Sequence, residues 1–156
     1  MTDEIQGLAD ELVAARADFI AALEAVDTRR LNAPGLVGEW SARELVAHLG
    51  YWAGHAAEVI HAVESGRAAE VGVGEPSVDD RNASVARVAR EADLATVRKR
   101  EAASIQALLE RLATVDPALL TERLPDGATL RDGLREDGPE HYREHTADLR
   151  SAVADR

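Results

Sequence analysis

The chain contains no cysteine. That single absence excludes disulfides, thiolate metal ligands and a cysteine nucleophile. Positive charge is also scarce, with 18 lysines and arginines against 29 acids and a formal net charge of −11. A nucleic-acid backbone repels such a surface, so no nucleic-acid partner is expected. The longest basic run, Arg98 to Arg100, is short and reads as a solvated helix face. Long apolar runs are missing as well. No stretch reaches membrane-spanning length, and the start MTDEIQGLADEL is acidic and lacks an apolar signal core. These features predict a protein of the cytoplasm with no membrane partner.

Aromatic residues are few: Phe19, Trp40, Tyr51, Trp52 and Tyr142. Alanine, leucine and valine carry the apolar content instead. Alanine and leucine favour helices over strands, so the expected fold is all-α. A chain of 156 residues has the size of one domain, here residues 1–156.

Four helical patterns follow along the chain. Ile5, Leu8, Leu12, Phe19, Leu23 and Val26 recur at steps of three and four and predict a helix over about Asp3 to Val26, with Thr2 or Asp3 as cap. Ser41 and Glu44 form the sequence of a capping box. It precedes a second stripe of Leu45, Leu49, Trp52, Ala56, Val59, Ile60 and Val63, and Gly66 reads as the stop. The thirteen residues GRAAEVGVGEPSV then form a linker. Extended, it spans at most about 43 Å, against about 35 Å for the preceding helix. It is long enough to return along a bundle, and equally compatible with a floppy hairpin loop.

Beyond the linker, a short helix to about Glu91 is followed by a cap at Asp93 and a long helix to Leu112. The long helix carries a stripe of Ala102, Ile105, Leu108, Leu109 and Leu112. The last pattern opens at Thr129, breaks at Gly138-Pro139 and continues to about Val153. Proline is favoured in a first helical turn, so the last helix restarts or kinks at Pro139. The four patterns together predict an antiparallel-type four-helix bundle.

The chain has five histidines, and two of them lie four apart in PEHYREH. Positions i and i+4 share one helix face, so His141 and His145 can aim both imidazoles at one point. That spacing can hold a metal ion, and it also occurs on helices without one. His48 adds a third imidazole, between Leu45 and Trp52 on the second stripe. Three neutral imidazoles from two helices would bind Zn²⁺, Ni²⁺ or Fe²⁺ and leave a coordination position open. His55 returns to the face of His48 seven residues on, where it could touch a substrate or lie at an exposed helix edge. His61 points elsewhere, toward the surface. Asp148, three residues after His145, could orient that imidazole through its other nitrogen. Trp40, Tyr51, Trp52 and Tyr142 cluster in sequence around these histidines, and Trp52, His55 and Tyr142 are the candidate lining of a substrate pocket.

The stretches GEWSARELVAHLGYWAGH and HYREHTADL resemble the second and last helices of DinB/YfiT-like metal-binding bundles. DDRNAS, with Asn82, is similar to the third-helix start of the mycothiol-dependent maleylpyruvate isomerase branch. The resemblance implies an up-down-down-up four-helix bundle, a divalent metal held by His48, His141 and His145, and a homodimer. Thiol-dependent S-transferases and isomerases occur in the family, as do hydrolases. The isomerase branch has a glutamate at the position of His141. The implied function is a metal-dependent transferase joining a low-molecular-weight thiol of the mycothiol type to a small electrophilic substrate. The alternatives are a metal-dependent hydrolase and a non-catalytic, stress-related metal-binding dimer.

Overall fold

The computed structural model describes residues 2–154, and these form helices and loops with no β-strand. The long helices are α1 (Asp3–Glu24), α3 (Ala42–Glu64) and α5 (Leu94–Thr114), with the one-turn α2 (Thr28–Leu31) in the first loop. Shorter helices are α4 (Val78–Ala89), α6 (Leu130–Arg135) and α7 (His141–Ala154). Helix α3 packs most extensively against α5 and then α4, while α1 lies mainly on α7.

The apolar stripes of the first two predicted helices are the ones that become core. Ile5, Leu8, Leu12, Phe19, Leu23 and Val26 are buried on one side, and Leu45, Leu49, Ala56, Val59, Ile60 and Val63 on the other. The helix ends follow from local chemistry. The Thr2 side chain accepts from the Ile5 N–H, and Asp93 accepts from the Thr96 N–H. After α3, Gly66 adopts φ +75° while the Arg67 and Gly66 N–H groups return to the Ala62 and Val63 carbonyls. This closure needs a left-handed residue, which glycine supplies without strain. The linker is neither fully extended nor a plain hairpin turn. It holds a short 3₁₀ turn, Ala68–Glu70, and further bends at Gly72 and Gly74.

Two local expectations fail. Ser41 sits at the N-cap of α3 but caps no backbone N–H; its hydroxyl donates instead to Glu44 at 3.1 Å. Both side chains are buried, so the pair satisfies itself rather than the helix end. The reciprocal capping box occurs at α6, between Thr129 and Asp132. On α5, Ala102 is exposed and its neighbour Glu101 is buried. Glu101 lies four and seven residues before Ile105 and Leu108, so the stripe continues through a carboxylate. Arg16 of α1 makes this possible, its Nε donating to both carboxylate oxygens at 2.7 and 3.0 Å while its Nη2 lies 2.7 Å from Oε1. A buried charge held by a fork of donors avoids the desolvation cost of an unpaired one.

The chain between α6 and α7 widens to a π turn over Glu136–Glu140, with Gly138 at φ −105° and ψ −111°. Pro139 lies in this turn, where it cannot donate to the helical ladder. The break predicted at Gly138-Pro139 is therefore a kink that joins α6 to α7 and sets the direction from which His141 begins the final helix.

Candidate metal centre

Each site histidine comes from a helix fixed by its own core stripe. His48 is buried on α3, one turn from the fully buried Leu45 on one side and the buried Trp52 on the other. His141 and His145 occupy the first two turns of α7, whose Tyr142, Thr146 and Leu149 face the core. The His48 ring meets the other two edge to face, with centroids 4.6 Å apart for His48 and His141 and 5.1 Å for His48 and His145.

The nitrogen geometry is what a cation requires. The Nε2 atoms of His48 and His141 are 2.8 Å apart, and those of His145 and His141 are 3.2 Å apart. One ligand atom from each residue lies within 4.8 Å of the other two. Ligands around a tetrahedral ion with bonds of about 2.0–2.1 Å stand roughly 3.3 Å from one another. His145 turns its Nδ1 to Asp148 Oδ2 at 2.9 Å. A carboxylate there accepts the Nδ1–H and leaves Nε2 as a bare lone pair. A single proton on His141 Nε2 cannot serve both neighbouring nitrogens well, whereas an ion between the three lone pairs does. These three imidazoles can hold a metal ion.

Electrostatics point the same way. Burial, helped by the charge of His145, pushes the His48 imidazole down to about 4 against a partial upward pull from Asn82. Burial, then His48 and His145, lowers His141 to about 3. Both rings are therefore neutral ligands at neutral pH, with their lone pairs available. The Nδ1 atoms of His48 and His141 are buried without a hydrogen-bond partner. With Nε2 directed at a shared point, those Nδ1 positions carry the protons.

The histidines form one wall of a cavity of about 670 Å³. Trp40, Trp52 and His55 line it from α3 and the loop before it, Val71 and Gly72 from the linker, and Arg81 and Asn82 from α4. Trp40 packs against His48 with centroids 4.8 Å apart. Trp52 donates its indole N–H to Asn82 Oδ1 at 2.8 Å, which ties α3 to α4 beside the histidines. His55 is half-buried next to Trp52, and burial together with the Arg81 charge lowers its pKa. His61 is exposed, as its position off the second stripe suggests.

Tyr142 departs from its expected place. It is fully buried, lies edge-on to Phe19 at 5.7 Å and donates its hydroxyl to Glu101 at 3.2 Å. Being adjacent to His141 turns it about 100° around the helix, away from the cavity and into the core. Burial and the Glu101 charge hold its phenol well above the usual range, so it stays protonated. It belongs to the Arg16–Glu101 network and not to the pocket.

Arg81, Asp137 and Glu144 also line the cavity, and sequence patterns did not mark them. Asp137 lies in the π turn, and burial, then the neighbouring Glu136 charge, raises it to about 7 while Arg81 pulls it down. The adjacency of Arg81 to Asn82 and of Asp137 to the Gly138-Pro139 break were the available signals. Neither gives a direction until the helices are packed.

The family model described as the DinB superfamily matches residues 11–148, a span that contains all three histidines. No curated protein and no solved structure gives a significant match.

Proposed function

The chain belongs to the DinB superfamily, and from that premise we propose a metal-dependent enzyme that joins a small-molecule thiol to a small electrophile. The observation that carries this reading is the convergence of three imidazole nitrogens on one wall of a cavity. Three protein ligands leave a coordination position for a substrate atom, unlike a closed structural site. The proposed scaffold is a four-helix bundle in up-down-down-up order, with the long linker as its crossover. A homodimer in the cytoplasm belongs to the same reading.

When bound, a divalent ion supplies Lewis acidity, which lowers the pKa of a coordinated thiol or water. The remaining contributions belong to the chain. His48 and His141 present uncharged nitrogens at neutral pH because burial opposes their protonation, and His145 turns its Nε2 to the same point. Asp148 fixes the tautomer and orientation of His145. Trp40 and Trp52 supply apolar faces that exclude water from the reacting groups. With no cysteine in the chain, the thiol comes from a cosubstrate, for which mycothiol is the proposed type.

A hydrolase is the second reading, favoured by Asp137. A carboxyl that titrates at about 7 in the same cavity can accept a proton from water near neutral pH. Two measurements separate the readings. Elemental analysis of protein incubated with Zn²⁺ or Ni²⁺ is expected to give one bound ion per chain; none would end both. Consumption of a model electrophile such as 1-chloro-2,4-dinitrobenzene is expected only with an added thiol, and equal turnover in thiol-free buffer would transfer the assignment to the hydrolase.

A further inference from the structure

Arg81 is an arginine left over in the cavity wall. Arg16, Arg90, Arg98 and Arg131 each pair with a carboxylate of the protein. Among the described residues Arg81 takes part in none of the ion pairs. Its Nε is buried with no hydrogen-bond partner. A buried, unmet donor on a charged group is costly unless something on its open side accepts from it. Arg43 also has an orphan Nε, but its terminal nitrogen donates to the Arg90 and Ala92 carbonyls.

The guanidinium is held in place rather than loose. Its central carbon lies 4.8 Å from the centroid of the Trp52 ring. That ring is itself pinned by its hydrogen bond to Asn82, the residue beside Arg81. A planar fork stacked on an indole keeps its edge donors free for a planar oxyanion. Arg81 lines the same cavity as His48, His141 and His145. Asp137 is near enough for Arg81 to lower its pKa, yet the two form no ion pair. Asp126, Glu136 and Glu144 also line the cavity. Their charges oppose an anion, and oppose a dianion such as a phosphate monoester more than a singly charged carboxylate.

We propose that Arg81, stacked on Trp52, is the anchor for a carboxylate of the substrate, so that the site takes a small carboxylate-bearing molecule whose other end reaches the three histidines. The reacting end of that assignment rests on the metal-enzyme reading above; the carboxylate anchor does not. Held at its carboxylate, the substrate enters in one orientation, and Trp52 is shared between the anchor and the apolar wall.

The test follows the Trp52 indole N–H signal by ¹H–¹⁵N NMR while the full chain is titrated with benzoate, benzamide or phenyl phosphate, in chelator and again with Zn²⁺. Benzoate is expected to shift that signal saturably in chelator, and benzamide is not. R81M is expected to weaken benzoate binding by roughly ten- to hundred-fold, the range for a hydrogen bond to a charged group, with R81K between it and the parent. R81Q is a second neutral variant should R81M not fold, checked by the ligand-free spectrum. No benzoate binding by the parent, equal binding of benzamide, or unchanged affinity in the neutral variants would each overturn the proposal. So would benzoate binding that needs Zn²⁺ and ignores Arg81, because the carboxylate would then sit at the histidines. Tighter binding of phenyl phosphate than benzoate would refute the carboxylate assignment. Failure to bind Zn²⁺ would sink the metal reading while leaving the titration in chelator as a test of the anchor.

Discussion

At the scale of single residues, the site depends on charges that are either neutralised or matched. His141→Ala removes the nitrogen that lies between the other two and is expected to abolish stoichiometric metal binding. His61→Ala, on an exposed helix edge, is expected to leave it intact; elemental analysis of both proteins decides. His48 and His141 set an acid response in chelator. Their folded pKa values, about 4 and about 3, lie below the unfolded value near 6.5. The unfolded chain therefore binds more protons than the folded one between those limits, and this part of the stability is present above pH 6.5 and lost as pH falls. Asp137 has the opposite sign. Its folded value of about 7 lies above the unfolded value near 3.8, so its contribution is present at low pH and lost as pH rises through 7. Near pH 5.5 the balance is about two histidine protons against one aspartate proton, a net slope of roughly 1.4 kcal/mol per pH unit. Asp137→Asn removes the offset, and the slope is expected to about double. Urea unfolding at pH 5 and 6 in chelator reads this directly, and an unchanged slope would contradict the assignment. Much of this scale was visible in the chain: two histidines four apart on one helix share a face, and a third stands on the apolar stripe of another. Tyr142 was not legible, because one step around a helix separates the cavity from the core, and only its hydrogen bond to Glu101 shows which side it takes. Arg81 and Asp137 carry no periodic signal, and their meaning comes from what lies opposite them.

At the scale of elements, the contact between α3 and α5 fixes where His48 stands. It is close because α3 presents glycines to α5. A Cβ on Gly50 would lie 3.0 Å from the Glu101 Cα, and one on Gly54 would lie 3.3 Å from the Ser104 hydroxyl. Glycine costs about 1 kcal/mol against alanine inside a helix, so its presence at Gly50 reflects this approach. Gly50→Ala is expected to force the two backbones apart and to destabilise by roughly 1–3 kcal/mol despite the better helix propensity. Gly54→Ala meets only a rotatable hydroxyl and is expected to cost less. Denaturant midpoints of the two variants give the comparison, and a more stable Gly50→Ala protein would show that the helices yield freely. The Arg16–Glu101–Tyr142 network crosses the same region and ties α1, α5 and α7 together. Arg16→Met leaves Glu101 buried without its cation and is expected to cost about 3–5 kcal/mol, against about 1–2 kcal/mol for Tyr142→Phe, which removes one hydrogen bond. Periodicity located each of these helices. It misplaced one member of the α5 stripe, because it counts Ala102 as core and Glu101 as surface, and the pairing that reverses this comes from a helix 85 positions away in sequence.

At the scale of the whole molecule, a bound ion would join α3 to α7, elements 93 residues apart at His48 and His141. An ion that binds only the folded chain raises stability in proportion to the logarithm of its concentration, by about 2.7 kcal/mol at one hundred times Kd. Zn²⁺ is therefore expected to raise the melting temperature of the parent protein and not of His48→Ala, and thermal scans across a concentration series check it. No helix among the described residues is long and apolar enough to cross a membrane, consistent with a chain whose charges recur in every predicted helix. The sequence by itself determined the helical class, the core stripes and the three imidazoles, because each depends on residue type and on spacings of three and four that any α-helix obeys. The tertiary structure decided which neighbours of those imidazoles face the cavity, why a glutamate is buried, and that the PEHYREH helix starts from a π turn. Those outcomes depend on pairing between distant segments, where packing and charge compensation override the preference of any one residue.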